Sequence, residues 1–443
     1  MSKNRQVSDP VRAGLAAALR GQPVIPALTA LAAAGLLAGC ATVSPGPPTG
    51  SAAGSAATAR CAAASAGSGS AGSGGTGAGA APLQAIQFTS DGHGWAAGAG
   101  RILATSDGGR TWAAQYTGPA TLGQLDFTSA SDGWAVGPGA LLRTTDGGAS
   151  WSALAEPQVN GHCLSVSSVH FVSPALGYAI AASTGAASTG GNAGAGNAGA
   201  GGSAAGSTGG GGGQLLRTTD GGATWQQAAG APDGAQAVCF STAQDGYLGV
   251  PGRIWRTTDA GASWSPAFTE PPASAGQQAS RMAGDTPQLG CAAHGAAWAL
   301  FLGRGAAMMH APYLAYATQD GSSWHGVLEE PMLESAIRPK LHLPAGPGSE
   351  PGPFSVISPG AAAFVGYTPP ANGWGAAPLV VATNGGTVLK SAGDIPAINV
   401  PLAAAFLTPA RGWVAGENLK THTFSIEATT DAGRSWTTQY TTS

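Results

Sequence analysis

The sequence predicts an all-β chain whose ordered part is a seven-bladed β-propeller, preceded by a signal peptide and a disordered linker. Three observations predict it. The string "RTTDGGASW" at Arg143–Trp151 returns as "RTTDGGATW" at Arg217–Trp225 and as "RTTDAGASW" at Arg256–Trp264. A second element precedes each copy, a hydrophobic or Cys position followed seven residues later by an aromatic. Between the two lie short alternating runs bounded by Gly, Asp and Ser, which read as strands and turns.

Aligned on the acid, the first element recurs at Asp107, Asp146, Asp220, Asp259, Asp320 (one residue short) and Asp431, with a relic at Asn384. The second gives seven pairs: Phe88/Trp95, Phe127/Trp134, Phe171/Tyr178, Phe240/Tyr247, Cys291/Trp298, Ile357/Phe364 and Phe406/Trp413. A period of about 40–50 residues marks a propeller or solenoid. In the second unit "GQLDFTS", "GWAVG", "ALLRTT" and "SWSALA" read as strands A to D. Seven four-stranded units suit a propeller, whose blade number runs from about 4 to 8.

The acid has a local task. A short carboxylate accepts backbone N–H groups across a turn. Gly two places later permits positive φ. The closing Trp offers a large area to bury between blades. The six aspartates are therefore expected to be structural, each closing a C–D hairpin. The motif is an Asp-box, and the pattern "F…GWAVG…LLRTTDGGASW" resembles the photosystem II assembly/stability factor family over about residues 83–443. The resemblance implies a non-catalytic scaffold that helps to assemble a membrane complex. Asp-boxes also occur in sialidases, other glycosidases and sorting receptors, so a glycan hydrolase and a surface glycan-binding module are the alternatives.

The N-terminus gives an address. Lys3, Arg5, Arg12 and Arg20 precede an apolar stretch from Val24 to Cys40 that is short for a membrane span. Its end, "LAGC", resembles a lipobox, in which Cys40 becomes the lipid-bearing N-terminal residue. Residues 1–39 are expected to be the lipoprotein signal peptide. Residues 40–82 are then the lipidated Cys and a linker of Ala, Gly, Ser, Thr and Pro, which cannot bury a core. The expected location is the outer face of the cell membrane, held by the lipid anchor.

Composition excludes some classes. A net charge of −3, with 9% charged residues, leaves no basic footprint for nucleic acid. None of the eight His shows HxH or HExxH spacing, so no metal and no cofactor are expected. Glycosidases need two facing carboxylates, and no motif supplies a pair. Arg143, Arg217 and Arg256 occupy one place in successive units, which favours a repeated structural role over a substrate clamp. With Cys40 set aside, Cys61, Cys163, Cys239 and Cys291 can form disulfides in an oxidising compartment, with three connectivities open.

The long connections all fall at B–C or D–A junctions: an insert at 182–213, segments 303–313 and 366–378, and the run Gly326–Pro353. That last run carries Glu329, Glu330, Glu334, Arg338, Lys340 and His342. Partner binding is expected there, with Glu329, Glu330, Arg338 and Lys340 as contacts and a protein or envelope complex as partner. The protein is expected to act as a monomer.

Overall fold

A computed structural model of the chain describes Cys61 and residues 82–183, 213–271, 286–303, 313–330, 342–367 and 375–442. The expected signal peptide at 1–39, Cys40, Glu334, Arg338 and Lys340 lie outside the described residues.

The described chain folds into seven antiparallel sheets, each built from one contiguous stretch. Blade one is β1 (Leu83–Phe88), β2 (Gly94–Thr105) and β3 (Ala113–Thr121). Its second and third strands run on without a break, and Gly100 (φ +67°) holds the place that Gly139 (φ +66°) takes in the next blade. Blade two is β4 (Gln124–Phe127), β5 (Gly133–Gly137), β6 (Ala140–Thr144) and β7 (Ser152–Ala153). Blade three is β8 (Gln158–Val159), β9 (His162–Phe171), β10 (Gly177–Ser183), β11 (Gln214–Thr218) and β12 (Gln226–Gln227). Blade four is β13 (Ala237–Phe240), β14 (Gly246–Val250), β15 (Arg253–Thr257) and β16 (Ser265–Thr269). Blade five is β17 (Thr286–Cys291), β18 (Ala297–Leu302), β19 (Tyr313–Thr318) and β20 (Trp324–Glu329). Blade six is β21 (Glu350–Ser358), β22 (Ala361–Tyr367), β23 (Ala377–Thr383) and β24 (Val388–Ile395). Blade seven is β25 (Val400–Phe406), β26 (Gly412–Asn418), β27 (Thr423–Thr429) and β28 (Thr437–Thr442).

Two details depart from the four-strand reading. Blade three has a fifth strand, because Asn160 (φ +52°) and Gly161 (φ +82°) fold Gln158–Val159 back onto the start of β9. Strand β10 also extends through Ser183, two residues into the expected insert at 182–213, because Ala182 and Ser183 pair with Ser165 and Leu164.

The core lies between blades. The face of blade seven and that of blade one share one cluster, containing Leu83, Ile86, Phe88, Leu402, Trp413 and Phe424. Blade seven thus closes on blade one by packing, with no strand exchanged among the described residues. Trp95, Trp134, Trp298, Trp413, Tyr178 and Tyr247, all from the seven-spaced pairs, are 0–2% exposed. Among the described residues no helix is long and apolar enough to cross a membrane.

Candidate functional site

The Asp-box turns sit at the C–D ends of the blades, and each is wired in one way. In blade two the hydroxyl of Thr144, at the end of β6, donates to Asp146 Oδ1 at 2.8 Å. The Thr144 hydroxyl oxygen itself accepts the buried N–H of Gly148 at 2.8 Å. Asp146 in turn accepts the N–H of Ser150 at 2.8 Å and its hydroxyl. The pattern repeats at Asp107, Asp220, Asp259 and Asp431. In the shortened fifth copy, Asp320 instead accepts the N–H groups of Ser322 and Ser323. Gly148 sits at φ +92°, where a side chain would also run into Gln115 Oε1, so the second glycine is obligatory. The relic in blade six keeps the turn without the acid: Thr387 Oγ1 accepts from Asn384 Nδ2 and donates to Asn384 O.

The buried partner in each box is the threonine, not the aspartate. Thr144, Thr218, Thr257, Thr318 and Thr429 are 0–2% exposed, whereas Asp146, Asp220, Asp259 and Asp320 are exposed. Thr144→Val keeps the shape and strips the buried Gly148 N–H of its acceptor. It should cost about 1–3 kcal/mol, read as a lower urea midpoint at unchanged slope.

The donors hold the carboxylates ionised. The Thr111 N–H, then its hydroxyl, pulls Asp107 down to about 2. The Ser263 and Ser435 hydroxyls, then their N–H groups, do the same for Asp259 and Asp431, both to about 2. The Ser150 hydroxyl lowers Asp146. At Asp220 desolvation pushes upward, and the Thr224 hydroxyl and N–H more than offset it. Asp320 is lowered chiefly by the Ser322 N–H. Folded values below the unfolded ones mean that the box contribution is complete above about pH 4. It should fade as pH drops from about 4 toward 2, while Asp→Asn variants at the boxes should flatten this acid limb of a thermal-melting profile. These carboxylates have their lone pairs engaged and show no raised value that would suit a general acid.

The second element joins blade to blade. Trp134, on β5 of blade two, stacks on Phe171 of blade three at 3.5 Å between ring centroids. Its indole N–H donates to Gly221 O, the residue after the box acid of blade three, at 3.0 Å. The box Trp225 meets the same Phe171 edge-on. Trp95 does this to Phe127 and Gly147 O, Tyr178 to Phe240 and Ala260 O, and Trp413 to Phe88 and Gly108 O. Where blade five follows blade four, Cys291 replaces the phenylalanine, and the Tyr247 hydroxyl donates to Gly295 O at 2.6 Å. In the next seam His325 Nε2 lies 2.7 Å from Gly385 O, the place that Trp95, Trp134, Tyr178 and Trp413 fill with an indole or phenol in their own seams. Sequence reasoning missed His325, because it stands in the outer strand β20 rather than in the seven-spaced pair.

The arginines belong to these seams. Arg143 lies over the Trp134 ring and donates to Pro174 O and Asp220 O of the next blade. Arg256 lies over Tyr247, donates to Asp320 O of blade five and pairs with Asp245. Arg411, over Trp413, reaches Asp91 from blade seven to blade one. Arg143, Arg256 and Arg411 therefore cross different seams and do not converge on one ligand.

A third series links the A strands, and no spacing in the sequence marks it. The residue just before the A-strand phenylalanine reaches the next blade. Gln87 clasps both the N–H and the C=O of Phe127. Asp126 accepts the Phe171 N–H, with burial raising its carboxyl while His170 and that bond pull it back. His170 Nε2 sits 3.0 Å from Phe240 O. The fourth member, Cys239, is covalently joined to Cys291. The second disulfide is Cys61–Cys163, so one of the three open connectivities is selected.

The expected partner segment is divided. Glu329, at the end of β20, is half-buried, and desolvation raises its carboxyl against the Leu343 N–H and His342. Glu330 is not a surface contact: it is 3% exposed, and its N–H is tied to Tyr313 O at 3.1 Å. That burial removes it from the expected set. Among the described residues no three His, Cys, Asp or Glu gather as metal ligands. A groove of about 370 Å³, open to solvent, lies between the outer strand of blade seven and Arg110 of blade one.

The comparisons with known proteins meet this geometry at the repeat. Residues 80–195, which take in the first two boxes, match the family model of photosynthesis system II assembly factor YCF48. Over that stretch, about a quarter of the chain, the repeat is similar to that of the family. No curated protein matches the chain. Among solved structures, YCF48 bound to D1 peptide is 17% identical, with 75% of this chain and 90% of that one covered at a TM-score of 0.45. A GH74 xyloglucanase from Xanthomonas campestris is 14% identical, with 81% and 54% covered at 0.52. A GH74 enzyme from Niastella koreensis is 15% identical, with 83% and 55% covered at 0.51. The chain spans about half the length of these two enzymes, and the likeness to them is one of propeller fold.

Proposed function

We propose that this assembly factor-like propeller is a non-catalytic scaffold, lipid-anchored through Cys40 on the outer face of the cell membrane, that binds a protein segment during assembly of an envelope complex. The observation that carries this reading is the use of the box carboxylates. Each of the six is occupied by its own turn, and the residues matched by the family model contain two of these turns. Such a framework leaves function to the connections that differ between blades.

Those connections lie on one face. Residues 184–212, 304–312 and 368–374 separate second and third strands, and 272–285 and 331–341 separate consecutive blades. Every A–B and C–D turn is described and short. The partner site is therefore assigned to the loop-bearing face of blades five and six, with Glu329, Arg338 and Lys340 as contacts.

The test is capture of partners from membranes by the mature protein. Charge reversal at Arg338 and Lys340 should reduce capture at least tenfold and leave the melting temperature unchanged. Undiminished capture would move the site elsewhere, and turnover of any member of a glycoside panel would replace the scaffold by a hydrolase. In cells, Cys40→Ser should abolish lipid labelling, and persisting label would remove the anchor from the reading.

A further inference from the structure

We propose that the seam between blades one and two holds a berth for an arginine side chain presented by a protein partner. The berth lies where the Asp-box turn of blade two meets the A–B turn of the same blade, on the face opposite to the long connections. It is a second contact surface, and it stands whether or not the loop-bearing face binds a partner.

The molecule shows the fitting side chain in its own seams. Between blades two and three, the Arg143 guanidinium lies over Trp134 and donates to Pro174 O at 3.0 Å and to Asp220 O at 3.4 Å. Between blades four and five, Arg256 lies over Tyr247 and donates to Asp320 O at 3.0 Å. Between blades seven and one, Arg411 lies over Trp413 and donates to Asp91 O at 2.9 Å. Between blades five and six, Gln319 Nε2 takes the corresponding carbonyl, Pro359 O, at 2.7 Å. The seam between blades one and two is built on the same plan. Trp95 stacks on Phe127 at 3.7 Å and donates to Gly147 O at 3.0 Å, as Trp134 does to Phe171 and Gly221 O. The Gly147 N–H bonds Ser131 O as the Gly221 N–H bonds Ala175 O. That register puts Ala130 O in the place of Pro174 O, and Asp146 O in the place of Asp220 O.

What this seam lacks, among the described residues, is the donor. Ala104 stands where Arg143 stands, just before the box threonine. His93 stands where Arg411 stands, two residues before the ring, and Ser106 where Gln319 stands, just before the box acid. Ala104 and Ser106 are too short to reach the carbonyls, and His93 is exposed, with its Nδ1 3.4 Å from Ser90 Oγ. The glycine after the box acid registers the difference. A Cβ on Gly108, Gly221 or Gly321 would meet the guanidinium of Arg411, Arg143 or Arg256, and these three glycines are buried. A Cβ on Gly147 would meet only the Ala130 carbonyl within 4 Å, and Gly147 is half-buried, with Ala130 and Asp146 exposed beside it. A planar guanidinium forks across two carbonyls and rests against an indole, which a compact ammonium does less well. The carboxylates of Asp132 and Asp146 stand in the two turns that frame the berth, and the Ser150 hydroxyl holds Asp146 ionised. Both favour a cation.

The test uses the full chain labelled with fluorotryptophan and followed by fluorine NMR, the Trp95 signal being identified by its loss in Trp95→Phe. The probe is the tripeptide acetyl-Gly-Arg-Gly-amide. It should shift the Trp95 signal saturably in the millimolar range. The citrulline tripeptide, which keeps the shape and lacks the charge, should shift it several-fold less at equal concentration. Ala104→Arg supplies the side chain from within, as Arg143 does, and should abolish the shift without lowering the melting temperature. Ser106→Gln, at an exposed position, should weaken the shift several-fold by taking Ala130 O as Gln319 takes Pro359 O. Absence of a saturable shift overturns the berth, and equal shifts from the arginine and citrulline tripeptides overturn the guanidinium. An undiminished shift in Ala104→Arg protein of parental melting temperature places the peptide elsewhere and overturns the seam as its site. Should Ala104→Arg melt earlier than the parent, Ser106→Gln decides in its place, and an undiminished shift there overturns the seam in the same way.

Discussion

Trp134→Ala should be among the most destabilising single substitutions in the chain, by about 3–5 kcal/mol. The indole is fully buried, lies flat on Phe171 and donates to Gly221 O. Its removal leaves a cavity between blades two and three, strips Arg143 of the ring beneath it and orphans a carbonyl inside the box turn. Trp134→Phe keeps most of the stack and loses only the donor, so it should cost about 1–2 kcal/mol. Urea unfolding of the two variants separates the contributions. Equal losses would mean that the hydrogen bond to the neighbouring box dominates the stack.

Breaking the Cys239–Cys291 bond should cost a comparable amount. At a sequence separation of 52, it should contribute about 4 kcal/mol through the entropy of the unfolded chain. Cys239 is fully buried, so the Cys239→Ala, Cys291→Ala protein should stay folded at room temperature and melt earlier. The seam keeps the Tyr247–Gly295 bond and the Arg256–Asp320 contact. A melting temperature equal to that of the parent would show that these polar contacts alone hold blades four and five together.

The architecture was legible because each blade repeats its own turn. A box must place a carboxylate, a hydroxyl and a left-handed glycine at fixed local offsets, and local offsets survive in sequence. The seven-spaced pairs were legible too, but not what they do. Trp134 and Phe127 are neighbours by spacing, whereas the ring on which Trp134 stacks is Phe171, one blade further on. The links between A strands were invisible for a different reason. Gln87, Asp126, His170 and Cys239 share a register and share no chemistry, so no composition or motif draws them together. Glu330 misled because a charged residue in a variable segment reads as solvated, and only the closing of β20 against its neighbours shows the carboxylate to be inside.

The seam between blade seven and blade one uses the same parts as the seam between blades two and three. Trp413 stacks on Phe88 at 3.5 Å and donates to Gly108 O, and Arg411 reaches the A–B turn of the next blade as Arg143 does. The ring therefore does not distinguish its first blade from its last by any special joint. A circularly permuted chain, with new ends placed in residues 272–285 and the old ends spliced, would meet the same set of seams in a different order. Insertion or removal of a whole repeat would likewise leave the ring with one seam more or one fewer of a kind it already has.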